Sequence, residues 1–167
     1  MTLLLRSPPA HLRPFLSQTH RRLLSAAATM QPRFAPGTDE PAVSAQLHPL
    51  LASSGGRWTL ASEGEALERS FKFKTFAKTW DFMTAVSLQC KMKNHHPEWS
   101  NVYNTTFIRW TTHSPKGLSA KDVTLASLCD SIAKELGELD PEPASCQVKD
   151  LADKVATTAG DCCVPKK

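Results

Sequence analysis

No run of apolar residues in this chain of 167 is long enough to cross a bilayer, which excludes a membrane-spanning helix. No CxxC pair occurs, and neither HExxH nor a Cys/His ligand spacing is present, so no metal is expected. The five cysteines, Cys90, Cys129, Cys146, Cys162 and Cys163, are odd in number, which fits free thiols in a reducing compartment better than a disulfide frame. Cys90 and Cys129 fall within helical patterns and read as small core residues. Acidic residues are missing altogether from Met1 to Thr38, where Arg6, Arg13, Arg21, Arg22 and Arg33 lie among Ser, Leu, Ala and Pro. That composition reads as a mitochondrial transit peptide, with Arg22-Leu23-Leu24-Ser25 as its processing region, and predicts a matrix location. An internal start at Met30 would remove the presequence and leave a cytoplasmic form. The formal charge of +4 owes much to this segment, so it argues poorly for a nucleic-acid partner. The later basic run "RSFKFKTFAK" follows Glu63, Glu65 and Glu68 and reads as a solvated face.

What is present is enough apolar material for a core, at 41% of residues. Three parts are expected: residues 1–40 as presequence, 41–137 as one folded domain, and 138–167 as a polar tail holding at most a short helix near Val148–Val155. In the domain, "PAVSAQLHPLLASSGG" predicts a short helix that begins at Pro41 and is closed by Gly55-Gly56. "RWTLASEGEALERSFKFK" predicts a hairpin turning at Glu63-Gly64-Glu65. Leu67, Phe71 and Phe73 share one face, and Glu68, Ser70, Lys72 and Lys74 take the other. "TFAKTWDFMTAVSLQCKMKN", residues 75–94, then takes a helical period with Phe76, Trp80, Met83, Val86 and Cys90 on one stripe, and Pro97 ends any continuation. "EWSNVYNTTFIRWTTH" predicts two strands, about 99–103 and 105–112, with a bend at Asn104. Ser119 is a good N-cap for a last helix with Asp122 in its first turn, Leu125, Cys129, Ile132 and Leu136 on its buried stripe, and Gly137 at its end. The order α-β-β-α-β-β-α describes an α+β domain. A single four-stranded antiparallel sheet with three helices packed on one face is its simplest arrangement. The other sheet face, or a sheet edge, is then available for self-association.

The chemistry concentrates in "KNHHPEWSNVYN" and in His113. His95 and His96 sit where a helix must stop, and His113 ends a strand. If the helix exit and the strand end converge, three imidazoles share one mouth. Crowded imidazoles with Lys91 and Lys93 nearby favour the neutral ring, the form that accepts a proton as a general base. Adjacent residues in extended backbone point to opposite sides, so one histidine of the pair suits proton transfer and the other suits binding. Trp99 offers an aromatic face to a flat ligand. Blander readings stand beside these: a histidine pair that caps a helix, and Trp99 and Tyr103 as core residues.

The run "FMTAVSLQCKMKNHHPEWSNVYN", followed by "TTH" and "GLSAKDVTLAS", resembles the pterin-4a-carbinolamine dehydratases over about Ala42 to Leu136. The resemblance implies removal of water from 4a-hydroxytetrahydropterin to give quinonoid dihydropterin, which recycles the cofactor of aromatic amino-acid hydroxylases. It also implies a homodimer or homotetramer and no cofactor. The implied catalytic residues are His95, His96 and His113. The implied substrate contacts are Asn94, His95 and His96, then Thr111, Thr112, His113 and Ser114, with Trp99 and Asp122 at or near the pocket. Many relatives carry glutamate four residues before the first histidine, where this chain has Lys91. That departure keeps an alternative in view: a non-catalytic pterin-binding protein, or a dimerisation module of the transcriptional coactivator type known for the animal protein.

Overall fold

Asp39 starts the first helix by accepting a hydrogen bond from the Ala42 amide at 3.2 Å, with Pro41 in the first turn. In this computed structural model, which describes residues 30–140 and 149–154, α1 spans Glu40–Leu47 and buries Val43 and Leu47, one turn apart. The expected helix is cut at His48-Pro49 and continues only as 3-10 turns over His48–Leu50 and Ala52–Ser54. Residues 1–29, with most of the arginine-rich stretch, and Cys146, Cys162 and Cys163 lie outside the described residues.

The hairpin forms as β1 (Thr59–Ala61) and β2 (Ala66–Lys72), and β3 (Glu98–Val102) and β4 (Thr105–Trp110) make the second pair. All pairings are antiparallel, in the order β1-β2-β4-β3, with Leu67 opposite Trp110 and Trp99 opposite Ile108. A two-residue ribbon of β5 (Thr112–His113) and β6 (Lys116–Gly117) follows, closed by a turn with a cis Ser114-Pro115 bond. The helices α2 (Phe76–Lys93) and α3 (Ala120–Glu135) cover one sheet face, with α1 packed on α3. Among the described residues no helix is long and apolar enough to cross a membrane.

The core lies between that face and the helices. Phe71, Phe73 and Phe82 meet at ring separations of 4.7 and 5.1 Å, and Trp58 closes edge-on against Phe71. This cluster overrides the expected stripe of α2. Met83, Val86 and Cys90 do turn inward, but Phe82 takes the place at the core. Phe76 and Trp80 are rotated into solvent, at 59% and 54% exposure. On α3, Leu125 and Cys129 are buried as expected. Burial pushes the Cys129 and Cys90 thiols up, away from the reactive thiolate.

The outer sheet face is not bare. A helical turn at 149–154 lies on it, with Ala152 against Phe107 and Val102. Lys149 pairs with Glu68, and Asp153 pairs with Arg109.

The chain enters α1 along a strap. Phe34 bridges to Leu118, and the Leu118 amide donates to the Arg33 carbonyl at 2.9 Å. Gly117 has φ +135°, and a Cβ there would lie 2.5 Å from the Ala35 amide nitrogen. Gly117→Ala is therefore expected to destabilise the fold by about 2 kcal/mol, read as a lowered urea midpoint.

Candidate active site

The second helix stops at Asn94, three residues before Pro97. Asn94 takes φ +47°, a left-handed conformation that asparagine tolerates better than most residues. Its amide donates to the Lys91 carbonyl at 3.3 Å, and the His95 amide donates to the Cys90 carbonyl at 3.1 Å. This pair of bonds is the Schellman closure. The Cys90 and Lys91 carbonyls are thus satisfied by backbone amides and not by the imidazole of His95 or His96.

Those imidazoles meet His113. The ring centroids of His95 and His96 are 6.5 Å apart, and those of His96 and His113 are 6.0 Å apart, with planes tilted by only 25–30°. All three line one cleft of about 810 Å3. Asn94, Thr112 and Ser114 line it as well. Trp99 and Thr111 do not. Trp99 packs on the core side of β3, and Thr111 is buried with its hydroxyl donating to the Glu65 carbonyl at 2.8 Å. The aromatic ring beside the histidines is Trp110, at 5.8 Å from His95 and 18° from parallel.

Asp122 is fully buried and reaches the cleft through His95. Its Oδ1 lies 2.6 Å from His95 Nε2. Its Oδ2 accepts from the Ser119 amide at 2.8 Å and lies 2.7 and 2.8 Å from the Thr112 and Ser119 hydroxyls. Burial works to raise the carboxyl pKa. Hydrogen bonds from His95, Thr112 and the Ser119 backbone outweigh it and hold the group below its ordinary value. An ionised carboxylate only accepts, so the proton on His95 sits on Nε2 and Nδ1 is the acceptor of the neutral ring. The same carboxylate completes the capping box that starts α3.

A second carboxylate stands by the other end of the row. Glu98 Oε1 is 3.6 Å from His113 Nε2. Lys91 is exposed on α2 and does not line the cleft. The remaining wall comes from the start of α3, through Ser119, Ala120 and Lys121, and from the strap and α1, where Thr38, Asp39, Val43 and Gln46 take part. Sequence reasoning missed the strap and α1 residues, because only the packing of α1 on α3 brings them to the histidines. Among the described residues no group of three or more His, Cys, Asp or Glu side chains is placed to hold a metal ion.

A family profile described as "Pterin 4 alpha carbinolamine dehydratase" matches residues 38–132. A protein of Rhodospirillum rubrum named after that dehydratase is 45% identical over 96 residues, covering 56% of this chain and 93% of its own. One from Sinorhizobium fredii with the same name is 38% identical over 95 residues, covering 57% and 86%. A solved structure from Brucella melitensis, described as a transcriptional coactivator/pterin dehydratase, is 34% identical with a TM-score of 0.49, covering 56% of this chain and 95% of its own. The matched stretch runs from the strap into α3 and takes in all three histidines and Asp122, so the chain belongs to the pterin-4-alpha-carbinolamine dehydratase family.

Proposed function

We propose that this protein dehydrates 4a-hydroxytetrahydropterin to quinonoid dihydropterin and water by histidine acid/base catalysis, and so recycles a tetrahydropterin cofactor. The observation that carries the reading is the row of His95, His96 and His113, drawn from separate parts of the chain into one cleft. Dehydration breaks the bond from carbon 4a to its hydroxyl, which needs a proton to leave as water. The neighbouring ring nitrogen gives up its proton, and its electron pair closes the new carbon–nitrogen double bond. One proton goes in and one comes out, which suits two imidazoles in exchange.

His95 and His113 carry those protons, each with a carboxylate behind it. The Asp122 carboxylate fixes the tautomer of His95 and offsets the charge the ring gains when Nδ1 takes a proton. His96, exposed between the other two, binds and orients the pterin with Asn94, Thr112 and Ser114. The test is quinonoid dihydropterin formation by the purified full chain. A rate well above the uncatalysed one is expected. Binding of a dihydropterin without acceleration would overturn the reading in favour of a pterin-binding or interaction protein.

Self-association belongs to the same proposal, and α2 is the surface that supports it. Phe76, Trp80, Leu88 and Met92 fall on one ridge of i+4 spacing and are all more than half exposed. Such an apolar ridge packs against its own copy, as a two-fold interface requires. Trp80→Glu with Leu88→Glu is expected to reduce the sedimentation mass to that of one chain with the fold intact. An unchanged oligomeric mass would exclude α2 as the interface. A mitochondrial location is proposed from the acid-free, arginine-rich N-terminal segment, and N-terminal sequencing of the protein from its source cells tests for cleavage.

A further inference from the structure

We propose that Glu98 is a positioning residue for His113, and that the helical turn at 149–154 holds it in that role through Arg109. The inference rests on the dehydratase reading for its kinetic consequence, but not for its geometry. His113 lies in a two-residue strand and its side chain is 38% exposed, so packing alone does little to fix its ring. His95, by comparison, is held by Asp122 on one side and Trp110 on the other.

Glu98 divides its two oxygens. Oε1 faces His113 Nε2 at 3.6 Å, and Oε2 accepts from Arg109 Nη1 at 3.2 Å. Left to themselves, an arginine and a carboxylate favour a bidentate fork that occupies both oxygens. Here the rest of the guanidinium is already engaged. Arg109 Nε and Nη2 donate to Glu68 Oε2 at 3.3 and 3.0 Å, and Nη2 also meets Asp153. Glu68 is itself held by Lys149 at its other oxygen. Burial disfavours the charge on Arg109, but Asp153, Glu68 and Glu98 together outweigh it and raise its pKa, so the cation is permanent. Lys149 and Asp153, both from the turn beyond the matched domain, therefore keep the arginine turned toward Glu68. One oxygen of Glu98 is left over for the imidazole. Without the turn, Arg109 is free to take both oxygens and His113 loses its partner.

Two readouts separate this inference from the activity it modulates. In Glu98→Gln, kcat is expected to fall about tenfold with KM within twofold, because the substrate contacts stay and the proton carrier is misplaced. Asp153→Asn is expected to lower kcat about threefold in the parent and to add nothing in the Glu98→Gln background, since both act through one chain of contacts. The second readout is the His113 ring resonances in the ligand-free protein, which both variants should shift while those of His48 stay put. Shifted resonances in a protein that turns over no pterin would uphold the positioning and sink the dehydratase reading. Unmoved His113 resonances, or kinetic losses that multiply independently, would overturn the positioning whatever the activity. Should Glu98→Gln fail to fold, the exposed-side change at Asp153 still decides the matter through the same resonances.

Discussion

Alanine in place of His95 is expected to lower the rate of dehydration by about 10²–10⁴-fold, and alanine in place of His113 by a similar factor. Each imidazole is assigned one half of a proton exchange, so losing either strands a proton on the substrate or on its leaving hydroxyl. The two variants differ in their controls. His113 is 38% exposed at its side chain, so its truncation should leave the unfolding midpoint unchanged. His95 is largely buried beside Trp110 and ties down Asp122, so His95→Ala should also lower stability. His96→Ala is expected to raise KM more than it lowers kcat, because its ring is assigned to binding. Quinonoid dihydropterin formation is the measurement. Parent-like rates from both His95→Ala and His113→Ala would end the catalytic assignment.

Asp122→Asn is expected to cost about 10²–10⁴ in kcat while the fold survives. Every partner of this carboxylate is a donor: His95 Nε2 at one oxygen, the Ser119 amide and two hydroxyls at the other. An amide has one acceptor and one donor end. The side with three donors claims the oxygen, so the NH2 group must face His95. His95 then has to accept at Nε2 and carry its proton on Nδ1, which is the atom meant to receive one. The substitution inverts the tautomer with little change in shape. It also alters the acid limb of stability. The folded-state pKa of Asp122 is depressed, so its contribution is fully present above the unfolded value of about 3.9 and is lost as pH falls through the folded value. Urea unfolding between pH 3 and 6 should show a steeper loss for the parent than for Asp122→Asn.

How much of this could be read beforehand depended on whether the deciding contact was local. The capping box at Ser119 and Asp122 is written within four residues, and α3 begins there. The two hairpins follow from alternation, and the buried sides of Leu67, Phe71 and Ile108 are as period two dictates. The end of α2 is legible too: the helical period runs out at Asn94, which the structure makes the left-handed cap, and Pro97 bars any continuation. The buried face of α2 departs from the expected stripe because Phe82 is chosen by Phe71 and Phe73, which come from elsewhere in the chain. Within the site, the histidines are legible as residues, but the sequence offers Trp99 as the aromatic face and the structure supplies Trp110. Counting alternate residues back from Thr112 puts Trp110 on the helix-covered face with Ile108, and that signal was available. The α1 wall and the Arg109–Glu98 relay join segments far apart in the chain, and no spacing announces them.

Asp122 begins a helix with the same two oxygens that hold an imidazole. The two duties are not equally dispensable. A descendant that no longer needed to process pterins would lose one partner of Asp122 by discarding His95, yet would still need a side-chain oxygen at 122 to accept from the Ser119 amide where α3 starts. In a lineage drifting toward a purely scaffolding life, the histidine would therefore vanish first, and a surviving aspartate would be the fossil of the lost reaction.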